Sequence, residues 1–149
     1  MEKEFIRVRS IKDIVIFVSL IALGSVLVAL PTGTAVNITG FFMIFAGLIL
    51  SLVMKSGYKD AEKGDCYNKK EHYFQQAYNA ALSSAISKKP ESVDLSEEDK
   101  GNALRLDVYY NKASGKAYLQ LFEYIPYKYE PCTGQYELET TEIENVIGK

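Results

Sequence analysis

Histidine occurs once in this 149-residue chain and cysteine only twice. His72, Cys66 and Cys132 are its only histidine and cysteine ligands, and no C-x-x-C pair is present. A structural zinc site needs four such ligands at close spacing, so metal binding is not expected. The chain has no G-x-G-x-x-G, no P-loop and no serine within a nucleophile elbow. A Cys132/His72 pair has no local signature, because Cys132 lies between Pro131 and Thr133. The expectation is a protein that is not an enzyme and carries no cofactor.

Charge of either sign is absent from residues 14–30 and 36–54, which only residues 31–35 separate. Each run approaches the ~20 apolar residues with which an α-helix crosses ~30 Å of hydrocarbon. A helix satisfies its own backbone hydrogen bonds and so can cross where an open strand cannot. Lys3, Arg7, Arg9 and Lys12 precede the first run, Lys55, Lys59, Lys63, Lys69 and Lys70 follow the second, and the link between the runs has no basic residue. Lys/Arg excess marks the cytoplasmic side. Both termini are therefore expected in the cytoplasm, with the chain in a plasma membrane of the bacterial inner-membrane kind. A cleaved signal peptide is the competing reading of the first run, but its 17 residues exceed the ~7–15 of an h-region. In a reducing compartment the two cysteines are expected to be free thiols. The sequon at Asn37 lies at the membrane edge and is read as chance.

With no ionisable residue in either run, an ion path or proton relay is not expected. Association of the two helices must instead rely on close packing of small residues. Gly40, Gly47 and Ser51 form a shallow groove on the second helix, and Ala22, Ser25 and Ala29 share one face of the first. Mutual contact of these two faces is the expected packing.

The remaining chain is polar. From residue 59 onward it holds twelve basic and sixteen acidic residues, a net of −4. Phosphate binding needs a basic footprint, so nucleic acid is not expected as a partner. Asn68 and Glu71 have the spacing of a capping box. Phe74, Tyr78, Ala81, Leu82, Ala85 and Ile86 recur at helical steps up to Pro90, and His72 is expected on the first turns of this helix. Beyond residue 103 the period becomes two. Strands are expected over 104–110, 117–125 and 135–140, with Gly115 in a hairpin turn, residues 127–130 as an edge or irregular link, and the last eight residues frayed or in a short turn.

The expected fold class is a membrane α-helical hairpin of two transmembrane helices followed by a small α+β domain, one amphipathic helix on a three-stranded antiparallel sheet. Its segments are a cytoplasmic N-terminus (1–13), the hairpin (14–54), a juxtamembrane connector (55–67) and the cytoplasmic domain (68–149). All eleven tyrosines fall outside the apolar runs. If Leu104, Leu106, Leu119 and Leu121 face the helix, then Tyr109, Tyr118, Phe122 and Tyr124 occupy the opposite face. Such a face is either an interaction surface or ordinary strand composition. The expected role is a non-catalytic accessory or assembly subunit in the lipid bilayer, its domain binding a protein partner or a second copy. The alternative is a self-assembling, holin-like or pore-forming protein regulated by its domain.

Overall fold

The computed structural model describes residues 2–139 and 143–148. It divides into two compact units, Ile6–Tyr58 and a second made of Met1–Phe5 with Lys59–Lys149.

The first unit is built on two helices, α1 (Ile11–Ala29) and α2 (Thr34–Val53). Both are long and apolar enough to cross a membrane, with mean hydropathies of 2.3 and 2.2. A capping box starts α1 three residues before the apolar run. The Ser10 hydroxyl accepts from the Asp13 amide at 3.2 Å, and the Asp13 carboxylate accepts from the Ser10 amide at 2.9 Å. Gly33, at φ +123°, supplies the left-handed residue that turns the chain into α2. Asn37 has a structural use here. Its side-chain amide donates to the carbonyls of Leu27 and Leu30 at 3.1 and 3.2 Å, satisfying orphan acceptors at the end of α1.

The helices cross through glycine. Gly24 and Gly40 approach so closely that a Cβ on either would lie 2.6 Å from the carbonyl oxygen of the other. A Cβ on Gly47 would lie 2.7 Å from Ile21 Cγ1 and 3.1 Å from the Phe17 carbonyl. Gly40 and Gly47 are thus buried in the contact as the small-residue pattern implies, and Ser51 is half-buried. The face assigned to α1 is corrected: Ala22, Ser25 and Ala29 are exposed, and Phe17, Ile21, Gly24 and Val28 make the contact. One glycine opposite Gly40 lets the backbones meet, which a small-xxx-small step one residue further round does not.

Among the described residues the sheet has seven strands rather than three. They are β1 (Phe5–Val8), β2 (Gly57–Asp60), β3 (Cys66–Phe74), β4 (Leu104–Asn111), β5 (Lys116–Ile125), β6 (Lys128–Pro131) and β7 (Tyr136–Glu139). Their order is β1-β2-β3-β4-β5-β6, and β7 pairs β5. The division between the units falls within β1 and β2. Residues expected as a connector therefore form β2, a turn and the start of β3.

The largest correction is at residues 68–74, which are strand. Asn68 to Phe74 pair residue by residue with Tyr110 to Leu104. The apparent capping box loses because Tyr67, His72 and Phe74 are buried on opposite faces of the sheet, a two-sided pattern that no single helix face serves. Helix α3 begins only at Asn79 and ends at Lys88, with Pro90 just beyond. Elsewhere period two reads correctly: β4 and β5 pair antiparallel through a turn in which Gly115 takes φ +70°.

Leu104, Leu106, Val108, Leu119 and Leu121 line the inner face, where they pack with Phe74, Leu82 and Ile86. Val146, on the short helix α4 (Glu144–Ile147), is fully buried in the same core, so the C-terminal segment is structural. His72 lies in β3 rather than on a helix and is fully buried. Its Nε2 donates to the Val146 carbonyl at 2.8 Å, and its Nδ1 lies 2.8 Å from Glu98 Oε1. The imidazole thus ties α4 to the sheet, with the Glu98 carboxylate beside it.

Candidate functional site

The strand register sends Tyr109, Tyr118, Phe122 and Tyr124 to the outer face, where their surroundings differ sharply. At one end the N-terminal residues cross the sheet. Phe5 stacks on Tyr109 with ring centroids 4.1 Å apart and planes 7° apart, and it meets Tyr67 edge-on at 5.3 Å and Tyr118 at 5.7 Å. Tyr118 is left only 4% exposed. Burial raises its phenol above the ordinary value, and Glu137, at 3.2 Å from its hydroxyl, raises it further.

Polar contacts hold this segment down. Lys3 pairs with Asp60 at 2.7 Å, and its ammonium lies 5.6 Å from the Tyr118 ring centroid. The hydrogen bond from Lys3 holds the Asp60 carboxyl below its ordinary value. The Lys3 amide donates to Gln135 Oε1 at 2.7 Å, and Gln135 Nε2 returns a bond to the Lys3 carbonyl at 3.3 Å. The Gln135 side chain therefore pairs with the crossing segment much as a strand backbone does.

The centre of the face is charged. Asp107, buried on β4, lies 3.2 Å from Lys69 Nζ and 2.8 Å from Arg105 Nε. Burial raises the Asp107 carboxyl, against the lowering pull of Lys69 and Arg105. The Arg105 guanidinium lies over two rings, 4.8 Å from the Phe122 centroid and 4.7 Å from that of Tyr129. Cation–π attraction to both favours that placement.

At the far end the face opens. Phe122 is half-buried and Tyr124 is 51% exposed, its ring 5.2 Å from that of Tyr129. Of the four aromatic residues singled out in the sequence, Tyr109 and Tyr118 are covered by the chain itself. Phe122 and Tyr124 remain on an open surface. Sequence reading missed Phe5 and Lys3, taken as a membrane flank, and also Arg105, Tyr127 and Tyr129. The alternation of Phe5-Ile6-Arg7-Val8 was the available signal for a strand there.

Beside α3 lies a second concavity of about 320 Å³, walled by Phe74, Tyr78, Ala81, Leu82 and Ala85 with Asp94 and Glu97 at its rim. Both carboxylates are engaged, Asp94 by the Ser96 amide at 2.9 Å and Glu97 by Lys100 at 2.7 Å. Cys66 and Cys132 are free thiols. Burial, and then Glu123 nearby, raises the Cys132 thiol above its ordinary value, which disfavours the reactive thiolate. Among the described residues no group of three or more His, Cys, Asp or Glu is placed to hold a metal ion. No family model matches the chain, and no curated protein or solved structure matches it.

Proposed function

We propose that this chain is a membrane-anchored, non-catalytic interaction subunit. In this reading α1 and α2 span the bilayer as a hairpin with both chain ends in the cytoplasm. The basic residues flanking both helices and the uncharged link between them support that orientation. The sheet unit would then present its outer face to a protein partner. The observation that carries the proposal is the open half of that face. Phe122 and Tyr129 both contact the Arg105 guanidinium, with Tyr124 exposed beside them. Aromatic residues and arginine are the types that dominate interface cores and their energetics. A guanidinium already held by Asp107 and two rings also loses little side-chain entropy on binding.

Site-specific photocrosslinking in intact cells tests this. A photoreactive residue at Phe122 should capture one discrete protein, and the same group at Ala113, in the β4–β5 turn, should not. Capture of the chain itself would assign the face to a second copy. Equal labelling at both positions, or none at Phe122, would remove the support for a binding face.

A further inference from the structure

We infer that the β5–β6 hairpin tip is a membrane-surface contact, seating the Tyr127 ring among lipid headgroups. The tip is a two-residue turn, Pro126–Tyr127, closed by the Ile125↔Lys128 pair. Ile125 is 40% and Tyr127 97% exposed. Tyr127 also takes φ +76°, a left-handed conformation in which glycine is usual and a bulky side chain is disfavoured. The fold thus holds a large ring in an unfavourable backbone state and gains almost no burial from it. A ring displayed in that way needs a use outside the folded unit.

The bilayer interface is the occupant that these residues fit. Tyrosine joins an apolar ring to a polar tip, and such rings collect at headgroup level. Tyr127, at 97% exposure, stands clear of the fold, which suits a soft interface better than the pockets that hold aromatic anchors between proteins. The turn itself, residues 125–128, carries one charge, that of Lys128, and no carboxylate. Glu130 beyond it pairs with Lys128, and Glu123 before it accepts from the neutral Gln76 amide at 2.8 Å. The bilayer is also the one partner that the chain brings with it. The inference rests on the spanning reading of α1 and α2, under which a short tether keeps lipid at high effective concentration.

The chain has no tryptophan, so a single introduced indole reports its own surroundings. The full chain would be reconstituted into phosphatidylcholine–phosphatidylglycerol vesicles, with and without brominated acyl chains. Three variants are compared: Tyr127→Trp at the tip, Ala113→Trp at the opposite end of β5, and Phe42→Trp on the exposed apolar side of α2. The 10 residues of β5 place the first two about 30 Å apart. Brominated lipid should quench Phe42→Trp strongly and Tyr127→Trp several-fold, with a blue-shifted emission at both, and leave Ala113→Trp unchanged. Quenching of Phe42→Trp but not of Tyr127→Trp would overturn the tip contact and leave the spanning reading intact. Loss of quenching at Phe42→Trp would overturn the spanning reading and the tip contact with it. Equal quenching at Ala113→Trp and Tyr127→Trp would show a contact that the tip does not direct, and would also overturn the inference.

Discussion

Asp13 closes the open end of the helix pair onto Ser56. Its Oδ1 accepts the Ser56 hydroxyl at 2.6 Å and its Oδ2 accepts the Ser56 amide at 2.8 Å, across 43 positions of sequence. The same carboxylate caps α1 through the Ser10 amide. One side chain thus starts the first helix and holds the chain leaving the second. Removing it strands the Ser56 amide without its acceptor. Asp13→Ala should lower the melting midpoint of the detergent-solubilised chain. Asp13→Asn, which keeps one acceptor oxygen, should lower it less. Circular dichroism on heating measures both.

The glycine crossing gives a sharper contrast. Gly40→Val would drive a branched side chain into the Gly24 carbonyl, where even a Cβ lies at 2.6 Å. The helices must part, at a cost of about 1–3 kcal/mol. Ala29→Val, on an exposed position of α1, should cost nothing measurable by comparison. Denaturation of both variants in one detergent compares them directly. Equal effects would mean that the crossing does not limit stability.

Phe5 belongs to the sheet unit even though it precedes α1 in sequence. Its stack on Tyr109 and its contacts with Tyr67 and Tyr118 cover the aromatic end of the outer face. Phe5→Ala should destabilise that unit by about 1–3 kcal/mol, from lost burial plus aromatic pairing. It should also expose Tyr118, read as increased tyrosine quenching by acrylamide. Unchanged accessibility of Tyr118 would show that other residues cover it.

The legible parts of this fold are those in which one period dominates. Leu104, Leu106 and Val108 alternate cleanly, so β4 and its pairing with β5 follow from period two. Residues 67–73 do not read this way because both faces of β3 are covered, Tyr67 on one side and His72 on the other, and one-sided alternation disappears. Asn68 and Glu71 then imitate a helix start by chance. The C-terminal segment is core because Ile143, Val146 and Ile147 share one helical face, a signal too short to stand out beside its polar neighbours. The crossing of Phe5 over the sheet is a long-range event that no local pattern encodes. For that reason the sequence marks which side of the sheet is aromatic but not how much of it stays open.

The Lys3–Asp60 pair makes an acid-dependent contribution. The hydrogen bond from Lys3 holds the Asp60 carboxyl below its ordinary value of 3.8. An acid depressed on folding contributes stability above its unfolded pKa and loses it as pH falls through the folded value. Lys3→Met removes the donor and with it the largest cause of the depression, leaving the bonds from the Glu62 and Lys63 amides, which both proteins share. The gap in melting temperature between the native chain and Lys3→Met should be full at neutral pH and close as pH drops below about 3.8. The raised carboxyl of Asp107 has the opposite sign, but it is common to both proteins and cancels in the difference. A gap that persists unchanged in strong acid would trace the effect of Lys3 to packing over the Tyr118 ring instead.

Tyr127 separates display from folding. Its φ of +76° costs a non-glycine residue about 1–2 kcal/mol, and its ring is 97% exposed, so little burial offsets that cost. Tyr127→Gly relieves the backbone, while the greater freedom of glycine in the unfolded chain returns about 0.5–1 kcal/mol. The net change should lie between zero and about 1.5 kcal/mol of added stability. Tyr127→Ala keeps the unfavourable φ, loses the same ring and should not gain. Leu121→Ala, in the inner core, should instead lose about 2–5 kcal/mol. Chemical denaturation of the three variants ranks them. If Tyr127→Gly and Tyr127→Ala both prove clearly less stable than the native chain, the ring supports the fold. In that case it is not a group spared for contact with something else.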